Sequence, residues 1–70
     1  MEKDLQIGFD YYMKAGELGD ALAWANVGYA YETGQGVDQD LSLTEYYYKK
    51  GTELGEEHCM EALERLNLSK

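Results

Sequence analysis

The chain has no proline, one cysteine (Cys59) and one histidine (His58) among its 70 residues, and its six Lys and Arg are outnumbered by fourteen Asp and Glu. Each shortage excludes something. A lone cysteine cannot close an internal disulfide, and one cysteine with one histidine cannot fill a structural zinc site, so neither cofactor nor metal is expected. A net charge of -8 without a basic cluster argues against a nucleic-acid backbone or an anionic membrane surface as ligand. The longest wholly apolar run, Ala21 to Ala25, falls far short of the roughly 20 residues that span a bilayer. No basic stretch leads into an apolar one after Met1, so no secretory signal is read and a cytoplasmic setting is favoured.

What remains is a folding composition, with 44% hydrophobic residues and seven tyrosines. A chain this short buries too little apolar surface to be stable by packing alone with much margin, so self-association is a reasonable expectation. Without proline, glycine punctuates the chain. Gly19 and Gly55 each close a Glu-Leu-Gly segment, as glycine does just beyond a helix, and each is followed by an acid, Asp20 or Glu56, suited to start the next one. Gly34 and Gly36 bracket a central loop and are expected to have positive φ.

Between these marks the apolar residues keep helical spacing. The stripes are Leu5, Phe9, Tyr12 and Gly16; Trp24, Val27, Gly28 and Tyr31; Leu41, Thr44, Tyr48 and Thr52; and Cys59, Leu63 and Leu66. The spacing predicts an all-α chain of four amphipathic helices. Tyr12, Tyr31 and Tyr48 are read as core, Tyr29 and Tyr46 as exposed. Asp40 is the expected cap of the third helix, with Ser42 and Glu45 as an alternative capping box.

A shift of 36 positions superimposes Tyr11-Tyr12 on Tyr47-Tyr48, Asp4 on Asp40, Leu5 on Leu41, Lys14 on Lys50 and Glu17-Leu18-Gly19 on Glu53-Leu54-Gly55, without a gap. A period of this length built from two helices and glycine turns marks an α-solenoid, in which each hairpin buries one face on its neighbour.

The stretch from Ala21 to Gly55 resembles a complete repeat of the Sel-1-like family, cousins of the tetratricopeptide repeat. Asn26-Val27-Gly28, Tyr31, Gly34-x-Gly36-Val37, Asp40, Tyr47-Tyr48-x-Lys50 and Gly55 carry the likeness. The resemblance implies one small domain, residues 1–70, in the order half repeat (3–19), whole repeat (21–55) and capping half repeat (56–67), folded as a four-helix αα superhelix of two hairpins. Glu64 departs from the family, standing where Gly28 stands in the whole repeat, so the last helix must pack differently. Met1 and the polar tail Asn67-Leu68-Ser69-Lys70 lean towards a complete small protein, while a half repeat at each end equally suits a piece of a longer solenoid.

The resemblance further implies a protein-interaction module without catalysis, in which the first helix of each repeat, here 21–33 and 56–67, lines a short concave groove. Leu22, Asn26, Tyr29 and Glu32 from the earlier helix and Glu61 and Arg65 from the later one are the expected partner-binding residues, with Ala25 and His58 beside them. Tyr29 is the preferred anchor, and Asn26 is alternatively read as holding the backbone of an adjoining repeat. The partner is a protein or peptide; the competing reading is a purely structural homo-oligomer, packed through Leu5, Ile7 and Phe9 or through Leu66 and Leu68.

Sharper chemistry fails on spacing. Asp38, Asp40 and Ser42 open like a calcium loop, but Leu43 and Lys49 stand where glycine and glutamate are required, and capping is their role. Gly34-Gln35-Gly36 lacks the Gly-Lys-Ser/Thr ending of a phosphate loop. His58 and Cys59 point about 100° apart on a helix and form no nucleophile–base pair. His58 with Glu61 offers two zinc ligands where a closed site wants four. Some cysteine-rich relatives have been credited with activity against β-lactams, but neither Ser42 nor Ser69 begins a Ser-x-x-Lys. No catalytic residue is read.

Overall fold

The computed structural model describes residues 2–68, and the side chains of 4–68. Met1, Ser69 and Lys70, with the part of the tail they form, lie outside the described residues. Four helices account for the fold: α1 (Glu2–Glu17), α2 (Ala21–Thr33), α3 (Leu41–Glu53) and α4 (Glu57–Leu68). No strand occurs among the described residues, and no helix is long and apolar enough to cross a membrane. Each helix packs on the one before it, and α2 also touches α4. The chain is thus an all-α stack of helical hairpins, as the 36-residue period predicts.

The period is visible in the backbone hydrogen bonds. After α1, the amides of Leu18 and Asp20 both donate to the Ala15 carbonyl, and that of Gly19 to Gly16. After α3, the amides of Leu54 and Glu56 both donate to Gly51, and that of Gly55 to Thr52. This turn consumes the carbonyls that a helix end leaves without partners, and it needs a left-handed residue. Glycine supplies it at φ 106° (Gly19) and 87° (Gly55). The acid that follows then starts the next helix. Asp20 accepts from the amides of Leu22 and Ala23 at 3.1 and 3.4 Å, and Glu56 accepts from His58 at 3.0 Å.

The loop between α2 and α3 is pinned at both ends. Gly34, left-handed as expected, caps α2 through its amide on the Ala30 carbonyl. The Asp40 amide donates to Tyr31, and the Asp40 carboxylate caps α3 by accepting from Leu43 at 3.1 Å. Of the two capping schemes read from the sequence, the chain uses Asp40. Gly36 (φ 79°) lies against the first turns of α1, where a Cβ would stand 2.8 Å from the Leu5 carbonyl oxygen, so the loop doubles as packing for α1.

Packing centres on α2, which buries Ala23, Trp24, Val27, Gly28 and Ala30. Close approach is made by glycines against large groups: a Cβ on Gly16 would meet the Trp24 ring, one on Gly28 the Tyr48 ring, and one on Gly51 the Cys59 thiol. Trp24 stacks on Tyr47, Tyr47 stacks on Tyr31, and Phe9 meets Tyr31 edge-on, with ring centroids 5.4 to 5.6 Å apart. This aromatic run ties α1 to α3 across α2. Lys50 extends over the rings of Trp24 and Tyr46, at 5.1 and 5.3 Å from their centroids, adding a cation–π contact.

Three stripe residues, Leu5, Tyr12 and Leu41, depart from the expected core. Tyr12 is 37% exposed where its register mate Tyr48 is 2% exposed, and Leu5 is also exposed, because no described element covers that side of α1. At the threonines the outcome splits. Thr44 is buried with its hydroxyl donating to the Asp40 carbonyl at 3.0 Å, whereas the hydroxyl of Thr52 is shielded from solvent and finds no partner among the described residues. Thr52→Ala is therefore expected to stabilise the chain, by about 1 kcal/mol, in urea unfolding.

Gly8 lies inside α1 with nothing within 4 Å of the place its Cβ would take. Gly8→Ala should gain about 0.5–1 kcal/mol from helix propensity alone. In a domain of this size that raises the melting temperature by about 2–8 °C in a thermal scan.

Candidate functional site

The facing sides of α2 and α4 form an open groove of about 420 Å³, lined by Ala25 and Tyr29 of α2, Tyr48 of α3, and His58, Glu61, Ala62 and Arg65 of α4. Its floor is set by small residues. Ala25 and Ala62 pack with Tyr48, Cys59, Leu63 and Leu66 into the cluster that joins the last three helices. Short side chains at 25 and 62 leave a depression, and Tyr29, 50% exposed, stands on its wall.

One end of the groove is closed by a three-residue clamp. The Glu32 carboxylate accepts from both ends of the Arg65 guanidinium (Nη1 to Oε2 at 2.6 Å, Nη2 to Oε1 at 2.9 Å) and from the Tyr48 hydroxyl at 2.9 Å. The Gln39 side chain secures the same turn of α2 by donating to the Glu32 carbonyl at 2.8 Å. Arg65 beside it holds the Glu32 carboxyl below the usual carboxylate range despite partial burial, with the Tyr48 hydroxyl helping. Burial, followed by the Glu32 carboxylate, pushes the Tyr48 phenol well up, so it stays a protonated donor. The thiol of Cys59 beneath is raised to about 11 by burial, followed by the charge of Glu56, which leaves it a packing group and not a nucleophile.

The clamp carries a pH dependence. A carboxyl whose folded pKa lies below its ordinary value stabilises the fold above that value, about 4.5, and loses its contribution as pH falls through the folded pKa. Glu32→Gln should thus be less stable than the parent by about 1 kcal/mol at neutral pH, a figure kept small because Arg65 is largely exposed. Below pH 4 the difference should narrow, as read by urea midpoints across pH.

The six residues expected to share one groove are divided by the structure. Tyr29, Glu61 and Arg65 line it, with Ala25 and His58 as expected beside them. Glu32 does not stand open for a partner, because it is engaged by Arg65 and Tyr48. Asn26 lies about 100° round the helix from Ala25 and lines a different groove, between α1 and α2, while its amide donates to the Leu22 carbonyl of its own helix at 3.3 Å. Leu22 is exposed on the first turn of α2 and lines neither groove.

At the rim, His58 meets Glu56 at 2.6 Å. The His58 backbone amide and then its ring hold the Glu56 carboxyl down, and Glu56 in turn raises the imidazole. The described residues contain no cluster of three or more His, Cys, Asp or Glu able to hold a metal. Tyr48, expected on a core stripe with its hydroxyl reaching the edge, is buried as expected and in addition lines the groove and donates to Glu32.

Residues 1–20 and 21–56 match the Sel1 repeat family model, and the second match spans one full period. Repeats of this kind generally serve protein–protein interaction and are not catalytic modules. Searches among curated proteins and among solved structures found no match. With the glycine turns at Gly19 and Gly55 and the acid-capped helix starts at Asp20 and Glu56 recurring on the period that these matches follow, the chain belongs to the Sel1 repeat family.

Proposed function

We propose that this chain is a protein-docking module and that the groove between α2 and α4 receives the partner. The observation that carries the reading is Tyr29, a half-exposed aromatic beside a floor of Ala25 and Ala62. An aromatic side chain over a small-residue depression offers large apolar area at low entropic cost, as hot-spot anchors do. The clamp of Glu32, Tyr48 and Arg65 supports it by keeping the two walls at a fixed separation before binding, so little ordering is left for the partner to induce. With Glu61 on the rim and a net charge of -8, the partner segment is neutral or basic. In this reading 21–55 is the complete repeat, 3–19 the trailing half of another and 56–67 a capping half.

A peptide library panned against the immobilised chain tests this. Basic or neutral sequences should be enriched, and binding should fall about tenfold or more in Tyr29→Ala. Unchanged binding in a correctly folded Tyr29→Ala, Glu61→Ala double variant would sink the assignment.

The competing reading, a self-associating structural repeat, draws on exposed Ile7 (66%), Leu18 (82%) and Leu68 (88%). Light scattering decides it: mass rising with concentration supports a homo-oligomer, and a monomer from micromolar to millimolar excludes one.

A further inference from the structure

The rim of the α2/α4 groove carries a charge that can be switched. Glu56 is fixed by two bonds: it accepts from the His58 backbone amide at 3.0 Å as the cap of α4, and its Oε1 lies 2.6 Å from Nδ1 of the same residue. A carboxylate already held at the helix start thereby holds the imidazole, which lines the groove with Glu61 and Ala62 and is largely exposed.

The charges that act on His58 from its own helix are all of one sign. Glu56, chiefly through its hydrogen bond, and then Glu61 and Glu57 raise the imidazole above its ordinary value of 6.5. Across the groove α2 offers Ala25 and the phenol of Tyr29, and α3 the Tyr48 phenol that Glu32 holds. Glu32 and Arg65 neutralise each other at the closed end. His58 is the only histidine, and the Cys59 thiol is buried and raised to about 11, so the imidazole is the group whose charge changes near neutrality.

We propose, building on the docking role of this groove, that His58 gates its affinity for a basic partner. The neutral imidazole leaves Glu56, Glu57 and Glu61 to attract a lysine or arginine of the bound segment, whereas the imidazolium neutralises Glu56 and repels that cation. A basic segment is therefore held more tightly at a pH above the His58 midpoint than below it. Linkage makes the effect reciprocal: the bound peptide lowers the pH at which His58 titrates, to the extent that protonation weakens the peptide.

The test uses the full chain and a peptide from the panned library that carries a lysine or arginine, no histidine and blocked ends, chosen because Tyr29→Ala weakens its binding. Its affinity should rise about two- to fivefold from about pH 6 to about pH 8.5, the range open to an exposed charge pair. The His58 ring signals, followed by NMR, should titrate at lower pH with the peptide bound. Affinity should be level over that range in His58→Gln, and level for the same peptide with its basic residues changed to glutamine. Glu56→Gln keeps an oxygen for the cap, while the His58 midpoint should fall towards its ordinary value and the rise in affinity should move with it. A level profile in the parent overturns the gate and leaves Tyr29-dependent docking in place, whereas panning that yields no Tyr29-dependent peptide overturns both. The gate also fails if Tyr29-dependent peptides all lack a basic residue, if the rise persists in His58→Gln, or if Glu56→Gln does not lower the His58 midpoint.

Discussion

Gly28→Leu is expected to leave most of the chain unfolded at room temperature, with the far-UV circular dichroism of a coil. The first atom of any side chain at this position would stand 2.6 Å from Cδ1 and Cε1 of Tyr48. The ring has no room to withdraw, being 2% exposed and tied by its hydroxyl to Glu32. Overpacking a filled core costs about 1–3 kcal/mol and more when neighbours are pinned. A single core in a chain of this size supplies only about 3–5 kcal/mol. Gly28→Ala is the milder case: it gains about 1 kcal/mol of helix propensity and still comes out destabilising, because its Cβ alone makes the overlap. The contrast with Gly8→Ala isolates the cause. Both place alanine inside a helix, and only the one facing a buried ring should lose stability.

The turns and caps were legible from the sequence because they are local. Gly19 and Gly55 occupy the same place in the same tripeptide, and a helix end of this kind requires little beyond its own few residues. Asp40 caps α3, whereas Asp4, which the 36-residue shift superimposes on it, lies within α1, which begins at Glu2. The match reported a shared register and not a shared role. Tyr12 and Tyr48 teach the same lesson about packing. Periodicity says which face of a helix is apolar, and whether that face is buried depends on a neighbour elsewhere in the chain, which Tyr48 has in α2 and Tyr12 lacks.

The groove was legible to the level of its walls. Tyr29, Glu61 and Arg65 fall where the repeat places them, since each follows from helical phase and the order of helices. What phase could not show was that Glu32 and Arg65, 33 residues apart, meet each other. A signal did exist: opposite charges assigned to facing walls of one narrow groove attract, and a bidentate pair forms where the walls come within reach. Asn26 lines the other groove for a different reason. Consecutive helical residues diverge by about 100°, so a helix with neighbours on three sides divides adjacent positions between grooves.

Tyr48→Ala should unfold the chain as completely as Gly28→Leu, by the opposite route. Among the described residues, Tyr48 is the one side chain that joins the clamp, the floor of the groove and the cluster with Cys59 and Ala62. Truncating a buried aromatic costs about 3–5 kcal/mol, comparable with the whole stability of so small a domain. Cys59 gives the readout. Its side chain is fully buried and its thiol is raised to about 11, so a thiol reagent at pH 7.5 should label the parent slowly and only through unfolding. Tyr48→Ala should label at the rate of denatured protein. Tyr48→Phe keeps the ring, loses the hydroxyl, and should cost about 1 kcal/mol, so its thiol stays protected. Rapid labelling of Tyr48→Phe would mean that the hydroxyl on Glu32, rather than the packing of the ring, holds these helices together; a protected thiol in Tyr48→Ala would mean that α3 and α4 stay joined without the ring.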